Sequence, residues 1–144
     1  MWIALAVLLV VLTIWLALIL PARSTKAQRA PFEHRMFAHR GLFSADQSVP
    51  ENSLPAFIAA VVAGYGVELD VQLSKDKVVV VFHDDDLKRV CGVDARVDAF
   101  TFDELQQLSL LNTAERIPTF SDVLAVLDGK IPVIVEIKSG GDWK

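Results

Sequence analysis

GVELDVQLSKDKVVVVFHD, residues 66–84, is the stretch that decides the fold. It holds two apolar runs, 66–73 and 78–82, with four polar residues between them. In the first run every second side chain is apolar, so Glu68 and Asp70 share the opposite face of a strand. The polar segment is far too short for the helix that joins two parallel strands. The stretch therefore predicts a hairpin, or a strand at the rim of a sheet.

Two further apolar runs, at residues 36–38 and 131–135, follow the same design, because charged or imidazole side chains come directly after each of them. Continuous apolar strands that alternate with helices predict a parallel sheet covered on both faces. Reactive side chains at the C-terminal ends of several such strands are typical of the active face of a (β/α) barrel. We therefore expect an α/β fold of the TIM-barrel type.

Three helices are predicted between the strands, from the helical spacing of apolar residues and from capping signals. The expected helices and their N-caps are 52–64 with Asn52, 101–111 with Thr101, and 119–128 with Thr119. The second of them opens with a capping box, because Glu104 stands three residues after its cap.

The N-terminal segment, residues 1–20, contains nineteen apolar residues, one threonine and no charge. As a helix rising 1.5 Å per residue it is long enough to cross a hydrocarbon layer of about 30 Å. A cleaved signal peptide and a buried helix are the alternatives. The segment lacks the basic start and the small residues before a cleavage site that a signal peptide needs. We expect an uncleaved transmembrane helix and a single-pass membrane protein.

A polar and basic segment, residues 21–35, follows this helix and is expected to be a tether at the lipid headgroups. Positive charge beside a membrane helix favours the cytoplasmic side, which predicts a domain, residues 36–144, that faces the cytosol. The bases of the tether are Arg23, Lys26, Arg29 and Arg35.

The rest of the chain is acidic, since residues 42–144 carry nine basic and seventeen acidic side chains. Such a surface repels polyanions, so no nucleic-acid partner is expected. The chain has one cysteine, Cys91, which excludes an internal disulfide and a cysteine-based zinc site.

Three carboxylates are candidates for a cation site. Glu136 follows the apolar run 131–135 and is therefore expected to be buried, where a carboxylate needs a cation or a proton. Lys138, on the same face, is one candidate partner, and a metal ion shared with Glu68 and Asp70 is the other. Three oxygen donors suit a hard divalent cation, Mg²⁺ or Ca²⁺, better than zinc.

Two histidines at strand ends, His39 and His83, are candidates for proton transfer, because imidazole gains and loses a proton near neutral pH. Arg40, next to His39, carries a planar guanidinium that matches phosphate oxygens.

Six motifs stand in order along residues 36–138, and with them the chain resembles the glycerophosphodiester phosphodiesterases, which share the TIM barrel of phosphatidylinositol-specific phospholipases C. The motifs are A-H-R-G at 38–41, P-E-N-S at 50–53, E-L-D-V at 68–71, H-D at 83–84 with Leu87 and Arg89 following, I-P-T at 117–119 and E-I-K at 136–138.

The resemblance implies a TIM barrel that uses a divalent cation to hydrolyse glycerophosphodiesters to sn-glycerol 3-phosphate and an alcohol. The roles that it implies are metal ligands for Glu68, Asp70 and Glu136, an acid–base pair for His39 and His83, phosphate contacts for Arg40 and Lys138, and a position close to the metal for Glu51. A lysophospholipase D-like phosphodiesterase on the same fold is an alternative.

The length of the chain raises a further expectation. A (β/α)₈ barrel needs about 250 residues, so residues 36–144 are expected to form a partial, truncated barrel, the N-terminal half of the domain. Such a half would leave an open sheet edge through which two copies could associate. A non-catalytic, membrane-anchored half-barrel is therefore a third interpretation.

Overall fold

The structure, a computed structural model, describes residues 2–20 and 24–138. The start of the predicted tether, with Arg23, and the end of the predicted domain at 139–144 lie outside the described residues. The chain divides into two units, Met1–Pro31 and Phe32–Lys144.

The first unit contains two helices, α1 (Trp2–Ile19) and α2 (Lys26–Arg29). Every described residue of α1 is exposed, so it is not a buried core helix. Its mean hydropathy is 2.9, and it is long and apolar enough to cross a membrane, although a signal sequence has the same properties. The short α2 begins at Thr25, whose hydroxyl accepts a hydrogen bond from the backbone of Gln28.

The second unit is built on a four-stranded sheet. Its strands are β1 (Phe37–His39), β2 (Gly66–Leu73), β3 (Val79–Val81) and β4 (Val133–Ile137). The central strand is β2, which pairs in parallel with β1 and β4 and antiparallel with β3. The predicted hairpin is therefore confirmed. The register places His39 opposite Glu68, and Asp70 opposite Glu136.

Among residues 32–138, four α-helices and one 3₁₀ turn accompany the sheet. They are α3 (Leu54–Ala63), α4 (Lys88–Cys91), the 3₁₀ turn Val97–Ala99, α5 (Phe102–Leu105) and α6 (Phe120–Leu127). Phe57 of α3, Val123 of α6 and Leu69 of β2 are fully buried members of the first core. A second core surrounds Phe82 and contains the buried Leu105 of α5. The fold is therefore α/β, as predicted.

The N-cap of α3 differs from the prediction, because Ser53 and not Asn52 caps the helix. Ser53 has an extended backbone, and its hydroxyl accepts a hydrogen bond from the backbone N–H of Ala56. Asn52 has a left-handed backbone with φ 54°, and its side chain is bound to Asp70. A long-range contact therefore moves the helix start by one residue.

The helix predicted at 101–111 is also wrong in length, because α5 ends at Leu105. The predicted capping box is present, with the Glu104 carboxylate accepting from the backbone of Thr101. Beyond the helix, the backbone N–H of Leu111 donates to the carbonyl of Val90, and Leu111 has a φ of 50°. This distant partner replaces the helical hydrogen bonds. The third helix, α6, is confirmed with Thr119 as its cap.

The burial predicted for Glu136 is wrong. Its side chain is 56% exposed, and the apolar side chains of Ile134, Val135 and Ile137 in the same strand are exposed as well. The physical reason is strand pairing, because β2 is the only described strand that pairs with β4. The continuous apolar run predicts a strand that is buried on both faces of the sheet, and β4 is not buried in this way.

Candidate active site

Three carboxylates meet at the C-terminal end of the parallel strands. Glu68 and Asp70 come from β2 and Glu136 comes from β4, and each offers an oxygen that lies within 4.8 Å of the oxygens of the other two. The parallel register between β2 and β4 explains the convergence, since Asp70 lies directly opposite Glu136. Asp70 is fully buried, whereas Glu136 is exposed. The cluster therefore has a buried base and an open side.

Two basic side chains contact the buried carboxylate from opposite ends. Lys138 Nζ lies 3.0 Å from Asp70 Oδ1 and 2.6 Å from Glu136 Oε1. Arg40 Nε lies 3.6 Å from Asp70 Oδ2. Burial acts to lower the pKa of Lys138, but the hydrogen bonds with Glu136 and Asp70 outweigh it and raise that pKa above its ordinary value. Lys138 is therefore a cation in this cluster.

The donor set of the cluster fits a hard divalent cation. All three side chains are carboxylates, which Mg²⁺ and Ca²⁺ prefer to nitrogen or sulfur ligands. Two basic groups, Arg40 and Lys138, face three carboxylates, so one negative charge remains to be balanced. The buried Asn52 Oδ1, which has no hydrogen-bond partner among the described residues, adds an oxygen close to Asp70.

Asn52 is a site residue that the sequence reasoning missed, because it was assigned to helix capping. Its Nδ2 donates to Asp70 Oδ2 at 3.1 Å, and the residue is buried. A sequence signal existed, since asparagine tolerates the left-handed backbone better than most residues.

A tight turn after β1 directs Arg40 over the carboxylates. Arg40 and Gly41 both have left-handed backbones, with φ of 58° and 81°. A Cβ at Gly41 would lie 2.8 Å from the Cβ of Ala56, so the turn requires glycine. The backbone N–H of Arg40 donates to the carbonyl of Glu68 at 2.9 Å, and Arg40 Nη1 donates to Glu51 Oε1 at 2.9 Å.

His39 stands at the open side of the cluster. Its Nε2 lies 3.7 Å from Glu68 Oε2, which is an ion-pair distance and too long for a hydrogen bond. The His39 side chain is 67% exposed. The ring is therefore accessible to a substrate.

His83, which follows β3, has a fixed partner. Its Nδ1 lies 2.6 Å from Asp84 Oδ1. Burial acts to raise the pKa of Asp84, but hydrogen bonds from Arg89 and His83 outweigh it and lower that pKa below 3.8. Asp84 is therefore ionised near neutral pH and can only accept, so the proton of the bond belongs to His83 Nδ1. In the neutral ring Nε2 is then the unprotonated nitrogen.

Glu51 lies between two guanidinium groups rather than in the carboxylate cluster. Its Oε1 accepts hydrogen bonds from Arg40 Nη1 at 2.9 Å and from Arg89 Nη2 at 2.7 Å. Burial acts to raise the pKa of Glu51, but the bonds from Arg89 and Arg40 outweigh it, and the net shift is downward from 4.5. Through these contacts Glu51 connects the cluster to the residues around His83.

The structure thus brings most of the predicted site residues into one contact network. Those in direct contact with a neighbour of the network are His39, Arg40, Glu51, Glu68, Asp70, Glu136 and Lys138, while His83 connects through Asp84 and Arg89. Asp84 and Arg89 carried no role in the sequence reasoning, although both stand in a motif quoted there. The contact of Arg89 with Glu51 crosses 38 positions of sequence, which no local pattern reveals.

Comparison with known proteins agrees with this geometry. The model of the "Glycerophosphoryl diester phosphodiesterase family" matches residues 39–141. A glycerophosphodiester phosphodiesterase from Caldanaerobacter subterraneus is 39% identical over 113 residues, which are 73% of this chain and 45% of that protein. A lysophospholipase D from Rattus norvegicus is 32% identical over 139 residues, which are 88% of this chain and 43% of that protein.

The solved structures that resemble this chain include a phosphodiesterase from Oleispira antarctica in complex with the product sn-glycerol-3-phosphate. The TM-score is 0.64 and the identity 33%, over 72% of this chain and 44% of that one. These similarities confirm the TIM-barrel type of fold that the strand pattern predicts, and they are consistent with the partial barrel that the length predicts. The chain spans less than half of the length of the relatives described here.

Proposed function

The chain belongs to the glycerophosphoryl diester phosphodiesterase family, and we propose that it carries the metal- and phosphate-binding face of an enzyme that hydrolyses glycerophosphodiesters to sn-glycerol 3-phosphate and an alcohol. One observation carries the proposal. Glu68, Asp70 and Glu136 offer oxygens within 4.8 Å of one another, beside histidine, arginine and lysine side chains. This hydrolysis needs carboxylates that bind a cation and, next to them, positively charged side chains that bind the phosphate.

The three carboxylates would bind the cation, and the positively charged side chains of Arg40 and Lys138 would bind the phosphate. A bound Mg²⁺ or Ca²⁺ would neutralise charge that develops on the phosphate oxygens. The support for a role of Arg40 and Lys138 in phosphate binding is their position beside Asp70, at 3.6 and 3.0 Å, next to the proposed cation site. Each is proposed as a phosphate contact, with the guanidinium giving two parallel donors and the ammonium one point charge.

The two histidines would perform the two proton transfers. One imidazole would take the proton from the attacking hydroxyl, and the other would give a proton to the departing alkoxide oxygen. His83 has the geometry for acceptance, because its Nδ1 is bound to Asp84 and its Nε2 is the unprotonated nitrogen of the neutral ring. His39 is exposed beside Glu68, so its ring is open to the leaving oxygen of a bound substrate.

A lysophospholipid is the second candidate substrate. Two observations favour it: the similarity to the rat lysophospholipase D, and the apolar helix α1, which is long enough to hold the domain near a membrane. A lysophospholipid presents the same phosphodiester as a glycerophosphodiester but keeps one acyl chain.

Product analysis separates these candidates. The purified chain in detergent is incubated with glycerophosphocholine or lysophosphatidylcholine, each with Mg²⁺ or Ca²⁺, and the released choline is measured. We expect choline from the first substrate and none from the Glu136→Gln variant. The matched control is Asp103→Asn, an exposed carboxylate in the first turn of α5. Turnover of lysophosphatidylcholine alone supports the second candidate, and no turnover of either supports a non-catalytic half-barrel.

We further propose that residues 1–20 are an uncleaved membrane anchor and that residues 21–35 are a tether, with the domain on the cytoplasmic side. The support is the length and hydropathy of α1 and the positive charge of Lys26 and Arg29 beyond it. Extraction of membranes at alkaline pH should leave the chain in the pellet. Protease added to sealed vesicles of known orientation then reports which side the domain faces.

Self-association through β4 is a further part of the proposal. Ile134 and Ile137 expose 44% and 63% of their surfaces along a strand that pairs with β2 alone among the described strands. Exposed apolar strands favour pairing with another chain. Sedimentation of the chain in detergent, compared with an Ile134→Lys variant, tests whether copies associate through this strand.

A further inference from the structure

Arg89, which has no role in the proposed chemistry, makes four hydrogen bonds to two carboxylates of the site. Its Nε and Nη2 donate to the two carboxylate oxygens of Asp84 at 2.7 and 3.1 Å. Its Nη1 and Nη2 donate to the two carboxylate oxygens of Glu51 at 3.1 and 2.7 Å. One guanidinium therefore makes two bidentate ion pairs, and all three of its nitrogens are engaged. Bidentate pairs of this kind fix the orientation of the carboxylates in addition to neutralising their charge.

The two carboxylates that Arg89 holds each have a second partner in the site. Asp84 Oδ1 is bonded to His83 Nδ1, and Glu51 Oε1 is bonded to Arg40 Nη1. Arg89 is therefore the middle of a continuous series of contacts that joins a proton-transfer candidate to a phosphate-binding candidate. No other described residue makes bidentate contacts with both carboxylates.

Buried neighbours hold the backbone of Arg89 in place. Leu87 and Val90, on either side of it, are buried in the second core, and Gly92 ends α4 with a left-handed backbone. The Arg89 side chain extends away from this core, and 49% of it is exposed. An arginine at the surface gains little from a single exposed pair. Arg89 instead makes two bidentate ion pairs at once, and the carboxylates of Asp84 and Glu51 are less exposed than its own side chain.

We propose that Arg89 is a positioning residue that holds the His83 ring, through Asp84, in the tautomer with Nδ1 protonated, and ties that ring to Arg40 through Glu51. The assignment of His83 to proton transfer rests on the proposed function, whereas the hydrogen bonds to Asp84 and Glu51 do not. A lysine cannot replace Arg89, since one ammonium cannot make two parallel bonds to each of two carboxylates.

The test compares the Arg89→Gln and Arg89→Lys variants with a matched control. Arg96→Lys is that control, because Arg96 donates from Nε and Nη2 to Asp98 at 3.0 and 2.9 Å at a similarly exposed position. Two quantities are measured on the full chain in detergent. One is the tautomer of the His83 ring from its nitrogen-15 chemical shifts, assigned among the three histidines by substitution. The other is kcat and KM for glycerophosphocholine.

We expect His83 of the wild-type chain to carry its proton on Nδ1 at a pH where the ring is neutral. Arg89→Gln should give a mixture of tautomers and lower kcat by about tenfold, the effect typical of losing a group that orients a functional histidine, with KM changed less than about twofold. Arg89→Lys should lie between the two, and Arg96→Lys should match the wild type in both measurements.

The outcomes separate the failure of this inference from the failure of the proposed function. An unchanged His83 tautomer in Arg89→Gln overturns the inference, whatever happens to kcat. Circular dichroism reports whether Arg89→Gln is folded, and if it is not, an unchanged tautomer in Arg89→Lys overturns the inference instead. A wild-type chain that hydrolyses nothing contradicts the proposed function, while a His83 tautomer that shifts from wild type to Arg89→Gln still supports the role of Arg89.

Discussion

The two ends of the polar network differ in how their carboxylates are engaged. At the cation end, three carboxylates offer oxygens within 4.8 Å of one another, and Glu136 among them is exposed. At the imidazole end, Glu51 and Asp84 each accept two hydrogen bonds from Arg89, and Asp84 also bonds to His83. The first arrangement is suited to accepting a metal ion, and the second to holding a ring still. Substitutions at the two ends should therefore have different consequences for metal dependence.

The largest effect is expected from Asp70→Asn at the cation end. Asp70 is the buried carboxylate that contacts both Arg40 and Lys138. The loss of its charge leaves two cations facing a weaker partner, and we expect Mg²⁺ and Ca²⁺ affinity to fall by at least about 100-fold. Hydrolysis of glycerophosphocholine should fall below detection.

Isothermal titration calorimetry with each metal checks the Asp70→Asn prediction without needing turnover. Asp103→Asn serves as the control for a removed acidic charge. A variant that binds Mg²⁺ or Ca²⁺ as tightly as the wild type would falsify the location of the cation site.

The next effect in size is expected from His83→Ala. If His83 transfers a proton, hydrolysis should slow by about two to four orders of magnitude. Because His83 belongs to the imidazole end, metal affinity measured by calorimetry should stay within about twofold of wild type, in contrast to Asp70→Asn. A tenfold or smaller loss of rate would instead indicate a structural role. A large loss of metal affinity would show that the two ends do not act separately.

Asp84→Asn should have an intermediate effect on the same rate. An asparagine keeps the shape of Asp84 but can turn its amide nitrogen toward His83, which favours the opposite tautomer. We expect a loss of about 10–100-fold, as when the oriented partner of a functional histidine is removed. The pH–rate profile of the variant, recorded beside that of Asp94→Asn, checks the prediction. Asp94 is an exposed carboxylate paired with Lys88 and has no contact with His83. An Asp84→Asn rate equal to the control rate contradicts it.

The difference between the two ends also marks what the sequence could and could not predict. The alternation in β2 correctly predicted the shared face of Glu68 and Asp70, because strand geometry is local. The same kind of reasoning was wrong for Glu136, since exposure depends on which strands pair with β4.

Hydrogen bonds between distant residues account for the other differences. Asn52 leaves its expected capping position because Asp70, eighteen positions away, binds its amide. Leu111, at the end of the predicted 101–111 helix, donates to the carbonyl of Val90 and not to a helical partner. The contacts of Arg89 with Glu51 likewise depend on folding and not on spacing. Strand patterns and motifs therefore predict the composition of the cation end better than the connections of the imidazole end.

Asn52→Ala tests the buried support of the cation end through stability. The variant removes the donor to Asp70 Oδ2 and leaves a fully buried carboxylate oxygen with one partner fewer. We expect the free energy of unfolding to fall by about 1–3 kcal/mol. Urea denaturation followed by far-UV circular dichroism measures it, with Asn112→Ala, at an exposed position, as the control. A variant as stable as the wild type shows that the amide does not support Asp70.

The smallest effect is expected from the pH dependence of stability at Glu51, the residue that joins the two ends. Its pKa in the folded chain is lowered, since the bonds from Arg89 and Arg40 outweigh burial, whereas the unfolded pKa is near 4.5. The unfolded state therefore binds protons first as the pH falls, and the stabilisation from Glu51 is complete above 4.5 and is lost as the pH drops through the folded pKa.

Glu51→Gln cannot titrate at this position, so its stability should fall less steeply below pH 4.5 than that of the wild type, with a difference under about 2 kcal/mol. Above that pH the variant should be the less stable chain, because Arg40 and Arg89 then share a neutral partner. Urea denaturation at a series of pH values between 3 and 7 compares the two chains. Parallel curves would mean that Glu51 keeps an ordinary pKa and that the two ends of the network are not coupled through its charge.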